Sequence, residues 1–274
     1  MMLLQGEATL ETATPSRLIQ LTDTHLMREP GGQLLGVDTD ASLAAVCRLI
    51  RAGAAPDALL LTGDLAGDES ADAYQRLAAQ LTDLGLPSFW LPGNHDAVWQ
   101  QDHPLAAHFK RHIHLPHWDI LMLNTQAPGE VPGCLAPSEI AILSETIEAA
   151  NHGGRPLLIA THHPLRRIGS EWLDAQRVAN GEEAIAVLRH ARYPVVVVSG
   201  HVHQDSAATH EGVQFLTTPS TCVQFAPGSP RFQVDDVEPG CRSLALYPDG
   251  TFETRVERVV DEVFPVDLRS KGYA

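Results

Sequence analysis

Short apolar runs, each followed at once by polar residues, are the main feature of this chain. Runs of four or five apolar residues that end at turn-forming residues are typical of buried strands. The pattern predicts five such strands, at residues 18–21, 58–61, 89–91, 157–160 and 195–198.

Between these strands, apolar residues recur at spacings of three and four, which is the pattern of amphipathic helices. Capping residues and glycines indicate where the helices begin and end. Four helices are predicted: from Thr39 or Asp40 to Gly53, from Ser70 to Gly85, from Ser138 through Ile147, and from Asn180 to near Arg192. Alternating strands and helices indicate an α/β fold with helices covering the sheets.

The C-terminal part changes to short strands, predicted at residues 213–217, 243–247 and 251–256. The last two are joined by Asp249-Gly250, a strong hairpin signal. With 274 residues, of which 44% are hydrophobic, the chain can bury one large core. We therefore interpret residues 17–274 as a single domain and residues 1–16 as a flexible leader.

Each of the first five predicted strands is followed by a motif rich in histidine, aspartate or asparagine. Such strand ends converge at one edge of an α/β sheet, where ligands usually bind. Taken singly, each motif could be an ordinary turn, because glycine, asparagine and aspartate are favoured there. Their joint occurrence favours a metal site. The motifs are Asp23-Thr24-His25, Gly63-Asp64, Gly93-Asn94-His95-Asp96, His162-His163-Pro164 and Gly200-His201-Val202-His203.

The side chains of these motifs suit two transition-metal ions. On an extended chain, the i, i+2 spacing in Asp-x-His and His-x-His points both side chains to the same side. Two carboxylates, one carboxamide and four imidazoles favour Fe or Mn, with Zn also accepted. Seven ligands are too many for one ion but fit two ions bridged by Asp64, which can drive displacement at phosphorus. The candidate ligands are Asp23, His25, Asp64, Asn94, His162, His201 and His203.

The complete series D-x-H, G-D, G-N-H-D, H and G-H-x-H resembles the calcineurin-like binuclear metallophosphoesterases. The resemblance implies two stacked mixed β-sheets flanked by helices, in four layers. It also implies that the two ions share Asp64. The first ion would be held by Asp23, His25, Asp64 and His203, and the second by Asp64, Asn94, His162 and His201.

The same resemblance implies roles for the residues around the ions. His95 would lie beside the substrate phosphate without binding a metal, and Asp96 would orient its imidazole. Asn94 would also contact the phosphate oxygens. His163 is assigned to substrate binding or to a supporting role rather than to the metals.

Further segments, residues 21–26, 34–39, 91–96 and 218–225, are similar to the bacterial class III 3',5'-cyclic-AMP phosphodiesterases. This similarity implies hydrolysis of cyclic AMP to 5'-AMP by a metal-bridging hydroxide, which would end a cyclic-nucleotide signal. Within the last segment, Ser220, Thr221 and Gln224 could line a nucleoside pocket, or the segment could pack in the core. The alternatives are a phosphomonoesterase, a protein phosphatase, a nuclease or another phosphodiester hydrolase, because the metal motifs alone do not separate them.

Two other polar groups are interpreted as surface or loop residues, because they lack a carboxylate partner at a strand end. Arg166, Arg167 and Trp172 could contact a phosphate or a base, but solvent-facing positions are favoured. The second group is a set of histidines at positions 103, 108, 112, 114 and 117.

The composition of the chain limits the kinds of partner that the protein is expected to bind. A net charge of −15 and a pI near 5.3 disfavour large nucleic acids, which bind basic surfaces. No apolar stretch approaches the roughly 20 residues that span a bilayer, so no membrane partner is expected. The N-terminus lacks a cationic region before Glu7, and the four cysteines are widely spaced, so we expect reduced thiols and a cytoplasmic location. The oligomeric state stays open.

Overall fold

The computed structural model describes residues 4–97 and 105–272. Within these residues the helices are α1 (Thr39–Ala52), α2 (Ala71–Thr82), α3 (Pro137–Gly153), α4 (Glu171–Asp174) and α5 (Gly181–Leu188). The strands are β1 (Glu7–Thr9), β2 (Ser16–Leu21), β3 (Gln33–Leu34), β4 (Val37–Asp38), β5 (Ala58–Thr62), β6 (Ser88–Leu91), β7 (His112–His114), β8 (Asp119–Met122), β9 (Leu157–Ala160), β10 (Val195–Ser199), β11 (Ser206–His210), β12 (Val213–Thr217), β13 (Gln224–Phe225), β14 (Val234–Asp235), β15 (Gly240–Leu246) and β16 (Phe252–Arg258).

Two mixed sheets form the centre of the molecule. The larger has the order β1-β7-β8-β9-β10-β12-β11, and the smaller has the order β16-β15-β2-β5-β6. In the larger sheet β8, β9, β10 and β12 are parallel, whereas β7 and β11 are antiparallel to their neighbours β8 and β12. In the smaller sheet β2, β5 and β6 are parallel, and β15 is antiparallel to both of its neighbours. All five strands predicted before the polar motifs are confirmed.

Alternation along the strands shows that both faces of the larger sheet are covered. Val196 and Val198 belong to the core shared with the smaller sheet, whereas Val195 and Val197 belong to a second core. Successive side chains of a strand point to opposite faces, so the two cores lie on opposite sides of this sheet. Helices α3 and α5 contribute to the second core, and α1 and α2 contribute to the first. The predicted four-layer α/β arrangement is confirmed.

Helix ends differ from the prediction where side chains have distant partners. The N-cap of α1 is Asp38, which accepts a hydrogen bond from Ala41 N at 2.9 Å, while the predicted cap Asp40 pairs with Arg76. Helix α5 ends at Leu188, short of Arg192. The pair of Asp40 with Arg76, 36 residues away, is not visible in local sequence, which is why the cap of α1 was misplaced.

The N-terminal residues contribute to the larger sheet. Strand β1 runs parallel to β7, with Glu7 opposite His112, and Leu4 is buried in the core. The leader predicted over residues 1–16 therefore includes an edge strand in its described part. Among the described residues, no helix has both the length and the apolar character needed to cross a bilayer.

Candidate metal centre

The predicted ligands converge where the carboxyl ends of the two sheets meet. The smaller sheet contributes the loops after β2, β5 and β6, and the larger sheet contributes the loops after β9 and β10. In the part of the chain that the structure describes, there are four groups of three side chains that could hold a metal. Within each group, the potential ligand atoms lie within 4.8 Å of one another. These groups are Asp23, His25 and His203; His25, Asp64 and His95; Asp23, Asp64 and His162; and His162, His163 and His201.

One half of the centre contains Asp23, His25 and His203, all of them buried. His203 Nε2 lies 3.2 Å from Asp23 Oδ1 and 3.3 Å from His25 Nε2. Burial disfavours the imidazolium of His25 and lowers its pKa to about 3. The ring is therefore neutral at physiological pH, which is the form that binds metals.

Asp64 lies between the two halves. Its Oδ2 atom is 3.8 Å from His25 Nε2 and 3.3 Å from His162 Nε2. His162 Nε2 is in turn 3.2 Å from Asn94 Oδ1. Burial by itself would raise the pKa of Asp64, but the facing His162 holds that pKa well below its usual value. The carboxylate is thus ionised and lies between the two halves of the centre.

Two histidines have their ring orientation set by backbone carbonyls. His162 Nδ1 donates to Thr62 O at 2.8 Å, and His203 Nδ1 donates to Val223 O at 2.7 Å. A carbonyl oxygen only accepts, so Nδ1 of each ring carries a proton, and Nε2 is the nitrogen that could bind a metal. In both rings, Nε2 is the atom that faces the centre. This is the usual outer support of a metal-binding histidine.

His201 supplies the test of whether a metal fits. The residue is 6% exposed, and its Nε2 atom has no hydrogen-bond partner among the described residues. Burial lowers the pKa of His201 well below its usual value, so the ring is neutral. An unpaired buried polar atom costs about 1–3 kcal/mol. A metal ion at this position would remove that cost, so the donor set fits the predicted cofactor.

His163 lies in the same cluster but has both nitrogens engaged by protein. Its Nε2 atom donates to Val131 O at 3.0 Å and also lies 3.1 Å from Asn94 Oδ1. Its Nδ1 atom is 2.8 Å from Thr125 Oγ1, which therefore donates to it. Proximity alone would make His163 a ligand, but these bonds leave it no lone pair. The geometry instead suits a residue that holds the Asn94 amide.

His95 is half-buried beside the centre, with its ring centroid 5.0 Å from that of His25. Its backbone N–H donates to Asp64 Oδ1 at 2.8 Å. His95 thus helps to hold the bridging carboxylate through its main chain, while its ring stays beside the ligand cluster.

The predicted contact between Asp96 and the His95 ring is wrong. Within the described residues, every hydrogen bond of the Asp96 carboxylate goes elsewhere: to Leu65 N, Ala66 N, Gly93 N and Tyr74 Oη, at 2.8–3.2 Å. Asp96 is buried, and its backbone follows a turn that points the carboxylate into that turn rather than toward the ring. Burial, followed by the charge of Asp64, raises the pKa of Asp96 to about 6. Asp96 therefore shapes the Gly93–Asp96 turn.

The prediction that the Asp-x-His and His-x-His motifs have an extended backbone is also wrong. Asp23, His25, His201 and His203 have φ values of 55°, 44°, 66° and 49°, and Asp64 has 51°. This left-handed region is uncommon for residues other than glycine. Strained residues of this kind concentrate at functional sites. The pairs converge because the chain turns at each ligand, not because it is extended.

Two motif glycines leave room for the ligands. A Cβ atom on Gly93 would lie 2.2 Å from Asp64 Oδ1, and one on Gly200 would lie 1.9 Å from Thr22 Oγ1 and 2.6 Å from Asp23 Oδ2. All three distances are far shorter than non-bonded atoms allow. Any other residue at these positions would displace a carboxylate of the centre.

Residues 218–225 pack against two of the candidate ligands, Asp23 and His203. Ser220 Oγ donates to Asp23 O at 2.7 Å, and the Phe225 ring stacks on His203 with centroids 4.4 Å apart. Ser220, Thr221 and Gln224 are all buried. Of the two interpretations of this segment, the structure favours packing and ligand support over lining a nucleoside pocket.

Other singled-out residues lie apart from the ligand cluster. Arg166 lies over the ring of Phe215, 5.9 Å from its centroid, and Trp172 packs on Phe225 and Phe232. His112 and His114 are on β7, and His108 stacks on Trp90, while His103 lies outside the described residues.

The sequence interpretation missed Thr125 and Gln126. They follow β8 and contact His163 and the Gly93–Asp96 turn, respectively. The sequence carries the same signal here as at the metal motifs, an apolar run followed at once by polar residues. The run is at residues 120–123, and the polar residues are Asn124, Thr125 and Gln126. It was overlooked because these residue types are rare as metal ligands.

The four-layer fold and the histidine–carboxylate centre together define a metal-dependent phosphoesterase arrangement. A family model described as calcineurin-like phosphoesterase matches residues 16–205, and the chain belongs to this family. Family membership and the donor clusters both imply divalent metal ions.

Relatives align with nearly the whole chain. Proteins named 3',5'-cyclic adenosine monophosphate phosphodiesterase CpdA are 38% identical in Vibrio vulnificus and 39% identical in Escherichia coli K12. The alignments cover 94% of this chain and 95% and 94% of those proteins. A solved structure of a dimetal phosphatase from Danio rerio has a TM-score of 0.64 at 14% identity, covering 90% of this chain and 100% of that one. This last likeness supports the fold alone.

Proposed function

We propose that this protein hydrolyses 3',5'-cyclic AMP to 5'-AMP and so ends a cyclic-nucleotide signal. The observation that carries the proposal is the position of Asp64, an ionised buried carboxylate whose Oδ2 atom lies 3.8 Å from His25 Nε2 in one half of the centre and 3.3 Å from His162 Nε2 in the other. Such a site suits displacement at phosphorus. Similarity over 94% of the chain to proteins named as cyclic-AMP phosphodiesterases supports this substrate.

The cofactor of this proposal is a pair of divalent ions, Fe or Mn in the first place and Zn as a third choice. When bound, the ions supply positive charge for the phosphate and a hydroxide nucleophile at neutral pH. Asp64 would hold both ions. Asp23, His25 and His203 would complete the first set of ligands, and Asn94, His162 and His201 would complete the second.

The remaining steps belong to residues of the chain. His95 donates a proton to the departing 3'-oxygen as the phosphorus–oxygen bond breaks, because its ring lies beside the ligand cluster. The Asn94 amide contacts the phosphate oxygens. His163 supports that amide through its Nε2–H, which is shared between Val131 O and Asn94 Oδ1. Groups held in this way cost no reorganisation during the reaction.

The proposed substrate is a small cyclic nucleotide. The acidic surface, with a net charge of −15, disfavours long nucleic acids. Divalent ions at the centre reverse the local field for a single phosphate. The cytoplasmic location stays a prediction.

A substrate panel with product analysis tests the proposal. Mn-loaded protein is given 3',5'-cyclic AMP, 3',5'-cyclic GMP, 2',3'-cyclic AMP and p-nitrophenyl phosphate. We expect cyclic AMP to be turned over with 5'-AMP as the product, and Asp64→Ala to be inactive because both ions lose their shared ligand. A product of 3'-AMP, or a far higher kcat/KM for the phosphomonoester, would reject cyclic AMP in favour of the alternative phosphoesterases.

A further inference from the structure

The turn that carries Asn94 and His95 is bound by one side chain from another part of the chain. Gln126 Nε2 donates to Gly93 O at 2.9 Å and to Asp96 O at 2.6 Å. These carbonyls are the first and last of the turn. The two N–H groups of a single amide therefore fix both ends, with Asn94 and His95 between them.

These two hydrogen bonds connect the two sheets. The turn follows β6 of the smaller sheet, whereas Gln126 follows β8 of the larger sheet. Within the turn, the Asp96 carboxylate accepts from Gly93 N, and it also accepts from Tyr74 Oη of α2, which lies in the same half of the molecule as the turn. The turn also meets the larger sheet where Asn94 Oδ1 lies 3.2 Å from His162 Nε2 and 3.1 Å from His163 Nε2. Gln126 is the side chain that binds the backbone of the turn from the larger sheet.

The loop of Gln126 is itself anchored. Asn124 Oδ1 accepts from Gln126 N at 2.9 Å, and Asn124 N donates to Glu139 Oε2 at 3.0 Å. Glu139 is buried and forms a two-point ion pair with Arg111. Bidentate pairs of this kind have a fixed geometry. The neighbouring Thr125 binds His163, so one loop positions both His163 and the turn.

We propose that Gln126 is a positioning residue of the reaction, which holds Asn94 and His95 at their working distance from the histidine ligands of the larger sheet. This rests on the proposed function only through the roles given to Asn94 and His95. A glutamine is required because both partners are carbonyl oxygens. Glutamate has the same shape but donates to neither, and it adds a charge that the two carbonyls repel.

The test compares Gln126→Glu and Gln126→Met with Gln75→Glu, the same chemical change at an exposed position of α2. Each metal-loaded protein is assayed with cyclic AMP and with bis(p-nitrophenyl) phosphate. Hydrogen exchange of residues 91–97 is measured in parallel by mass spectrometry.

We expect kcat per metal-loaded molecule to fall about 10- to 100-fold in both Gln126 variants, as a misplaced catalytic group would cause, with KM changed less. Exchange in residues 91–97 should become faster, while Gln75→Glu behaves as the wild type. Wild-type exchange, or a lower melting temperature with unchanged kcat, would overturn the proposal. Turnover of the generic diester without cyclic AMP would instead reject the proposed substrate, and the exchange comparison would still test Gln126.

Discussion

At the scale of single residues, two histidines of the centre differ in which ring nitrogen is bound to a backbone carbonyl. That difference decides which nitrogen is left to face the centre. His162 uses Nδ1 to donate to the carbonyl of Thr62, so its Nε2 faces the ligand cluster. The adjacent His163 instead uses Nε2 to donate to the carbonyl of Val131. The distinction depends on Thr62 and Val131, which are far from both histidines in sequence. The sequence predicted both residues at the site, with only His162 as a metal ligand, but it could not show which partners distinguish the two rings.

His95 gives the prediction at this scale. We expect His95→Ala to keep both ions, because its contact with Asp64 is made by the backbone N–H, which alanine retains. Its kcat should fall by roughly 10² to 10⁴, the range for a positioned acid or base. Elemental analysis and steady-state kinetics measure the two effects.

The matched control is His117→Ala, which removes an exposed histidine. It should match the wild type in both measurements. Loss of a metal from His95→Ala would show that the ring is a ligand, and normal turnover would exclude the leaving-group role.

At the scale of elements, the strands deliver the ligands but the loops shape the centre. Strands β2, β5, β9 and β10 end directly before the ligand-bearing loops. In these loops five ligands adopt left-handed backbone, and glycines pass within contact of carboxylates. The loops are strained and closely fitted, so small changes of backbone there should affect metal binding more than stability of the fold.

Gly200→Ala tests this view of the loops. The added Cβ would lie 1.9 Å from Thr22 Oγ1 and 2.6 Å from Asp23 Oδ2, so Asp23 must move. We expect loss of the first ion and at least about a 100-fold fall in kcat, since displacements near 1 Å have that effect. Metal titration and kinetics provide the measurement.

Gly153→Ala is the control for this substitution. Its Cβ would meet only Arg155, at 3.6 Å, which is ordinary contact, and alanine is favoured in helices. It should bind both ions and turn over normally. If Gly200→Ala did the same, the close packing of this loop would be disproved.

At the scale of the whole molecule, the centre lies on the seam between the two sheets. Asp23, His25, Asp64 and Asn94 come from the smaller sheet, and His162, His201 and His203 come from the larger. A buried polar bridge crosses the same seam, in which Thr218 Oγ1 donates to Gln20 Oε1 and Arg242 donates to Thr217 O at 2.8 Å. Metal ions would therefore cross-link the two halves of the fold.

This placement predicts that metals stabilise the fold. Ions bound at 100 to 1,000 times their dissociation constant add about 2.7–4.1 kcal/mol per site. For a chain of this size we expect chelation to lower the melting temperature by about 5–15 °C. Calorimetry with and without chelator measures the shift, and re-addition of Mn should reverse it. An unchanged melting temperature would argue against ions that join the sheets.

The sequence by itself determined the five strands that precede the polar motifs, the α/β class and the seven candidate ligands. These features are local, because an apolar run followed at once by a polar motif is complete within ten residues. Only the tertiary structure decided which ring nitrogen faces the centre, that the ligand backbone is left-handed, that Asp96 shapes its own turn, and that Gln126 grips it. Each of those depends on partners far apart in the chain, such as Gln126 and Gly93, which are 33 residues apart and meet only when the two sheets stack.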